Sequence, residues 1–183
     1  MRRISLTLSL AFLTVLFCQA QVTPLKFNKN GEFKIVQFTD IHFQYHNPAS
    51  AIALKRINEV LDAERPDLVV FTGDVVYAAP ADTAMRTVLA CASSRKLPFA
   101  VTFGNHDNEQ GKTHAELYDI IRSMPYNIQP DRGTVESPDS VLVVKSSDGK
   151  KDASVLYCLD SHSYSKLPDV KGYDWLTFDQ VNW

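Results

Sequence analysis

Apolar and polar positions change rhythm several times along the chain, and each change marks an element. Phe33 to Phe38 alternates and carries β-forming residues, so it predicts a strand. Asn47 and Pro48 follow as an N-cap and a proline at the first helical position. Behind them Ala53, Ile57, Val60 and Leu61 recur at the spacing of one helix face, and Pro66 ends the helix. Leu68 to Phe71 is unbroken apolar sequence, the pattern of a strand buried on both faces. The plan then repeats. Asp82 predicts the cap of a helix that sets Met85, Val88, Leu89 and Ala92 on one side, Pro98 stops it, and Phe99 to Phe103 is the next strand. A third helix is predicted from Lys112 to Met124, with Leu117, Ile120 and Ile121 facing inward. Ser140 to Lys145 and Ala153 to Leu159 predict a strand pair around the polar turn Ser146 to Asp152. The order β-α-β-α-β-α-β-β gives an α/β fold class. Helices between strands imply parallel pairing with right-handed crossovers, and the final hairpin adds an antiparallel piece.

The first residues follow another rule. Arg2 and Arg3 precede the apolar stretch Leu6 to Phe17, and Cys18-Gln19-Ala20 ends it with small residues. This is the pattern of a secretory signal peptide over residues 1–20, cleaved after Ala20. The apolar stretch is short for a membrane span, which needs about 20 residues. The expectation is therefore a secreted or periplasmic mature chain, 21–183, with no membrane span after cleavage. Its two cysteines, Cys91 and Cys158, are expected as buried free thiols.

Composition narrows the function only a little. With 45% hydrophobic residues, 22% charged and 10% aromatic, the chain has the means to build a core. Its 19 basic residues nearly balance 21 acidic ones, so there is no electrostatic footprint for nucleic acid. No G-x-G-x-x-G follows the first strand, which argues against a Rossmann-like nucleotide binder. No G-x-S-x-G supports a serine nucleophile.

The chemistry concentrates where strands end. The first strand runs into Asp40-Ile41-His42, the second into Gly73-Asp74, the third into Gly104-Asn105-His106-Asp107. In a parallel sheet the carboxyl ends of the strands share one edge, where ligands bind, so the three clusters are expected side by side. Asp40 and His42, two apart on an extended chain, point the same way. Carboxylate with imidazole suits zinc, iron or manganese better than calcium. Asp74 has two oxygens with which to bridge two ions, and Asn105 offers a neutral amide oxygen. Gly73 and Gly104, lacking Cβ atoms, permit sharp turns and close approach.

These three clusters resemble the first three motifs of the calcineurin-like metallophosphoesterases. Leu159-Asp160-Ser161, Gly172-Tyr173-Asp174-Trp175 and Asp179-Gln180-Val181-Asn182-Trp183 resemble the purple-acid-phosphatase-like branch of that family. The similarity runs from Phe33 to Trp183. It implies a sandwich of mixed β-sheets flanked by helices, and an exported metal-dependent phosphoesterase acting on phosphate-ester substrates. It further implies two divalent or trivalent ions (iron, zinc or manganese), with Asp40, His42, Asp74 and Asn105 as metal ligands and a hydroxide between the ions as attacking group. Asn105 and His106 would touch substrate. His106 would protonate the leaving oxygen without binding metal, and Asp107 would orient it by accepting its other ring proton. Tyr77 stands where purple acid phosphatases carry an iron-binding tyrosine; because His42 is present, Tyr77 is expected behind the ligands.

The family pattern also needs a later lone histidine and a Gly-His-x-His motif. The five histidines here are His42, His46, His106, His114 and His162, and none fits. His46 reads as a loop residue, His114 as a surface residue opening a helix, and His162 as a minor candidate for substrate contact. The expectation is the N-terminal portion of the domain, truncated at its C-terminus, with an exposed sheet edge and poor activity on its own. The alternative is a non-catalytic phosphate- or metal-binding remnant of the same fold. Substrate, metal identity and oligomeric state leave no mark in the sequence.

Overall fold

The structure, a computed structural model, describes residues 24–131 and 139–182. The leader expected at 1–20 and the terminal Trp183 lie outside the described residues.

Three strands, β1 (Ile35–Phe38), β2 (Leu68–Thr72) and β3 (Phe99–Thr102), pair in parallel in the order β1-β2-β3. Helices α1 (Pro48–Glu64) and α2 (Ala81–Ser93) connect them, and a short 3-10 turn at Asp107–Gln110 leads from β3 into α3 (His114–Arg122). An antiparallel hairpin follows, β4 (Ser140–Lys145) with β5 (Asp152–Cys158), and then a short α4 (Phe178–Asn182).

The period of two along the strands sorts the core into layers. Val69 and Phe71 of β2, and Phe99 and Val101 of β3, pack against Ile57 and Leu61 of α1, Met85, Val88 and Leu89 of α2, and Leu117 and Ile121 of α3. The alternate residues Leu68 and Ala100 face the other way, onto Leu142 and Val144 of β4 and Cys158 of β5. The result is a layer of helices, a parallel sheet and an antiparallel hairpin, as a metallophosphoesterase-type sandwich requires. Cys91 and Cys158 are both free and buried, one in each core layer, as the sequence predicts.

Local signals explain the helix starts. Asn47 Oδ1 accepts from Ala49 N at 2.9 Å, and Pro48 opens α1. Thr113 and Glu116 form a capping box at α3: Glu116 N donates to Thr113 Oγ1 and Thr113 N to Glu116 Oε2. Two expectations need correction. Asp82 does not cap α2; it sits in the first turn, where its charge suits the helix dipole, while Pro80 precedes the helix. Val60 is 38% exposed, because the buried stripe of α1 narrows to Ile57 and Leu61. On the hairpin Val155 and Tyr157 are exposed.

Candidate metal centre

The ladder between the first two motifs outlasts the strands. Asp40 N donates to Gly73 O, His42 N to Asp74 O and Phe43 N to Val75 O, so the motifs run side by side past the sheet. The third motif is tied to them through Asp74, whose Oδ1 accepts from His106 N at 2.9 Å. Asp74 Oδ2 lies 3.3 Å from His42 Nε2. The buried Asp74 carboxylate therefore touches the first motif with one oxygen and the third with the other.

Two glycines make this approach possible. Gly73 has φ +94°, and a Cβ there would sit 2.8 Å from Gly104 N. A Cβ on Gly104 would meet the Asp74 carboxylate itself. The close approach expected of these glycines is thus an approach of one motif to another.

His42, Asp74 and His106 each bring a ligand atom to within 4.8 Å of the others. Two imidazoles and a carboxylate, set in a cradle that a Cβ would fill, suit a transition-metal cation. The ring edges of His42 and His106 meet at a centroid distance of 5.3 Å, and Tyr77 stands edge-on to both, at 6.0 and 5.3 Å. The donor cluster shares His42 and Asp74 with the expected ligand set and differs from it elsewhere. Asp40 lies outside it: Asp40 and His42 have φ of 54° and 46°, not extended backbone, and Asp40 Oδ2 takes a hydrogen bond from Thr39 Oγ1. His106, expected outside the ligands, brings a ring nitrogen into the cluster. Asn105, immediately before it, donates Nδ2 to Tyr164 Oη at 2.9 Å.

Asp107 has another task than the one expected. It is fully buried and accepts four backbone N–H groups: Val75 and Val76 on Oδ1, Asp74 and Gly104 on Oδ2. Burial pushes its carboxyl above the usual range, while the N–H donors oppose the shift. It pins the second motif to the third, and its hydrogen bonds go to these backbone groups. The carboxylate bonded to the His106 ring is that of Glu109, with Oε2 2.8 Å from His106 Nδ1. The bond raises the His106 pKa and lowers that of Glu109.

His114 is also corrected. It is buried, stacked on Phe103 at 4.6 Å, with Nδ1 2.9 Å from Asp160 Oδ2 and Nε2 3.1 Å from Gly104 O. It ties the segment after β5 to the third motif. His46 is exposed, as expected of a loop residue. His162 bonds Gln180 through Nε2 and lines a cavity of about 720 Å³, beside Asn108, Lys112, Ser163, Tyr164 and Lys166.

A family model described as calcineurin-like phosphoesterase matches residues 33–182. The chain belongs to the calcineurin-like phosphoesterase family. Within the curated proteins it is 31% identical to "Probable inactive purple acid phosphatase 29" of Arabidopsis thaliana, over 90% of this chain and 49% of that protein. It is also 31% identical to "Phosphatase DCR2" of Saccharomyces cerevisiae, over 82% of this chain and 30% of that protein. A shorter match, 33% over 46% of this chain and 25% of the other, links it to "UDP-2,3-diacylglucosamine pyrophosphatase LpxG" of Chlamydia trachomatis. The chain spans about half or less of the length of these relatives. The resemblance drawn from the strand-end motifs is thereby confirmed.

Proposed function

We propose that this chain carries the first part of a metal-dependent site that hydrolyses phosphate esters outside the cytoplasm, and that the leader at 1–20 exports it. The observation that supports this most is the meeting of His42, Asp74 and His106 at the tips of the parallel strands. His42 and Asp74 would hold the metal, joined by Asp40 as its side chain turns toward it and by the amide oxygen of Asn105. A pair of bound cations supplies charge neutralisation for the phosphate and lowers the pKa of a water at neutral pH.

The remaining work belongs to the chain itself. Asp107 locks the two loops so that Asp74 faces both neighbouring motifs. Glu109 holds His106 by Nδ1, which fixes the ring and leaves its other nitrogen for the leaving oxygen. A histidine so placed contributes roughly 10²–10⁴-fold by proton transfer. The cavity beside Tyr164 has room for the alcohol part of an ester.

A non-catalytic, metal- or phosphate-binding role is the second reading, favoured by the word inactive in the name of the plant relative. Hydrolysis of p-nitrophenyl phosphate by the full chain, with and without added Mn²⁺, separates the two. We expect slow, metal-dependent turnover that Asp74→Asn removes. Turnover that ignores the metal, or survives Asp74→Asn, would contradict the enzymatic reading.

A further inference from the structure

The segment after β5 reaches back over the third motif. Tyr164 pairs with Tyr173 in an isolated antiparallel bridge, and their rings stack at 5.9 Å. From that position the Tyr164 hydroxyl meets two side chains of the motif loop. It donates to Glu109 Oε1 at 3.0 Å and accepts from Asn105 Nδ2 at 2.9 Å. Glu109, through its other oxygen, holds His106 Nδ1. One continuous relay therefore runs Asn105–Tyr164–Glu109–His106 and closes on two consecutive residues.

The proton count in this relay has a consequence. A phenol has one proton to donate, and an ionised carboxylate can only accept. The Tyr164 proton is committed to Glu109. Toward Asn105 the hydroxyl offers only a lone pair, so it selects the amide nitrogen. The amide oxygen is left on the other side. With the amide reversed, oxygen would face oxygen with no proton between them. Asn105 itself adjoins His106, whose backbone N–H is bonded to Asp74.

The geometry points to Tyr164 as a positioning residue for the candidate metal centre: its hydroxyl holds the Asn105 amide by its nitrogen and so leaves the oxygen free for a cation. This rests on the metal-dependent reading proposed above. It assigns a task to a residue 59 positions away from Asn105, outside all three strand-end motifs.

The test is Mn²⁺ affinity of the full chain by isothermal titration, which needs no turnover. Groups that orient ligands typically alter affinity by about 10–100-fold. Tyr164→Phe keeps the ring and removes only the hydroxyl, so it should weaken Mn²⁺ binding by about that factor. Tyr173→Phe, which keeps the stack, should stay within about twofold of wild type. The deciding comparison uses Asn105→Asp, whose carboxylate presents oxygen either way round and has no amide to orient. In that background Tyr164→Phe should cost little. Equal losses in both backgrounds would mean a merely structural role and would overturn the proposal, as would wild-type affinity in Tyr164→Phe. If the wild-type chain took up no Mn²⁺ at all, both this proposal and the function it rests on would fall; a defect confined to Tyr164 would leave the function standing.

Discussion

Gly104 lies against Asp74 so closely that a Cβ on residue 104 would come within 2.5 Å of Asp74 N and 2.7 Å of Asp74 Cγ. The two residues end neighbouring strands, and their contact sets the second and third motifs at a fixed separation. Backbone atoms cannot retreat as a flexible side chain would. Gly104→Ala is expected to destabilise the fold by about 1–3 kcal/mol, the usual scale of overpacking, and to weaken metal uptake as well. Urea unfolding and Mn²⁺ titration of the variant check both parts. An alanine variant with unchanged stability and uptake would show that the loops have slack.

The Glu109–His106 pair predicts a pH dependence. Glu109 holds the His106 pKa above the ordinary histidine value of about 6.5. A group with a raised folded pKa adds stability that is fully present below its unfolded pKa, and this is lost as pH rises through the folded value. Metal-free wild type should therefore exceed Glu109→Gln in stability at mildly acidic pH, where Glu109 is ionised and His106 protonated, and the gap should close both at alkaline pH and in strong acid, where Glu109 takes up its proton. NMR titration of the His106 ring should give a lower midpoint in Glu109→Gln. A midpoint unmoved by the substitution would show that the contact is not made in solution.

Much of this was legible in the sequence, for a physical reason. Leu68 to Phe71, Asn47-Pro48 and the strand-end Asp74 act through neighbours in the chain or through a period that repeats locally, so pattern alone carries them. Glu109 was within reach too, since it stands three residues after His106 at the start of a helical turn. The rest depends on distant chain. Nothing near His114 announces Asp160, 46 residues on, and without that partner a histidine opening a helix reads as a surface residue. Asp107 beside a histidine reads as its proton acceptor, whereas the approach of a second loop supplies four backbone donors. Tyr164 belongs to the same class, reaching its partners only after the chain has folded back.

The two thiols should be inert in the native protein. Burial pushes both Cys91 and Cys158 up, so little thiolate exists at neutral pH and reagents have poor access. Ellman's reagent should label neither until denaturant is added, when both should react. Rapid labelling of either in native buffer would contradict the buried positions.

Core and surface of the helical layer should respond differently. Leu89 is completely buried between α2 and the sheet, and Leu89→Ala should cost about 2–5 kcal/mol. Val60 lies off the buried stripe of α1, and Val60→Ala should change stability by no more than about 0.5 kcal/mol. Chemical denaturation of the two variants measures the contrast. Comparable losses would return Val60 to the buried face.

The central claim is that motifs from three strand ends converge on one metal site around Asp74. Isothermal titration of Mn²⁺ into wild type, Asp74→Asn and His46→Ala tests it most directly, because His46 is an exposed loop histidine that is not a member of the cluster. The account predicts binding by wild type and His46→Ala alike, and loss of binding in Asp74→Asn while its melting curve remains cooperative. Undiminished Mn²⁺ binding by a folded Asp74→Asn would contradict it.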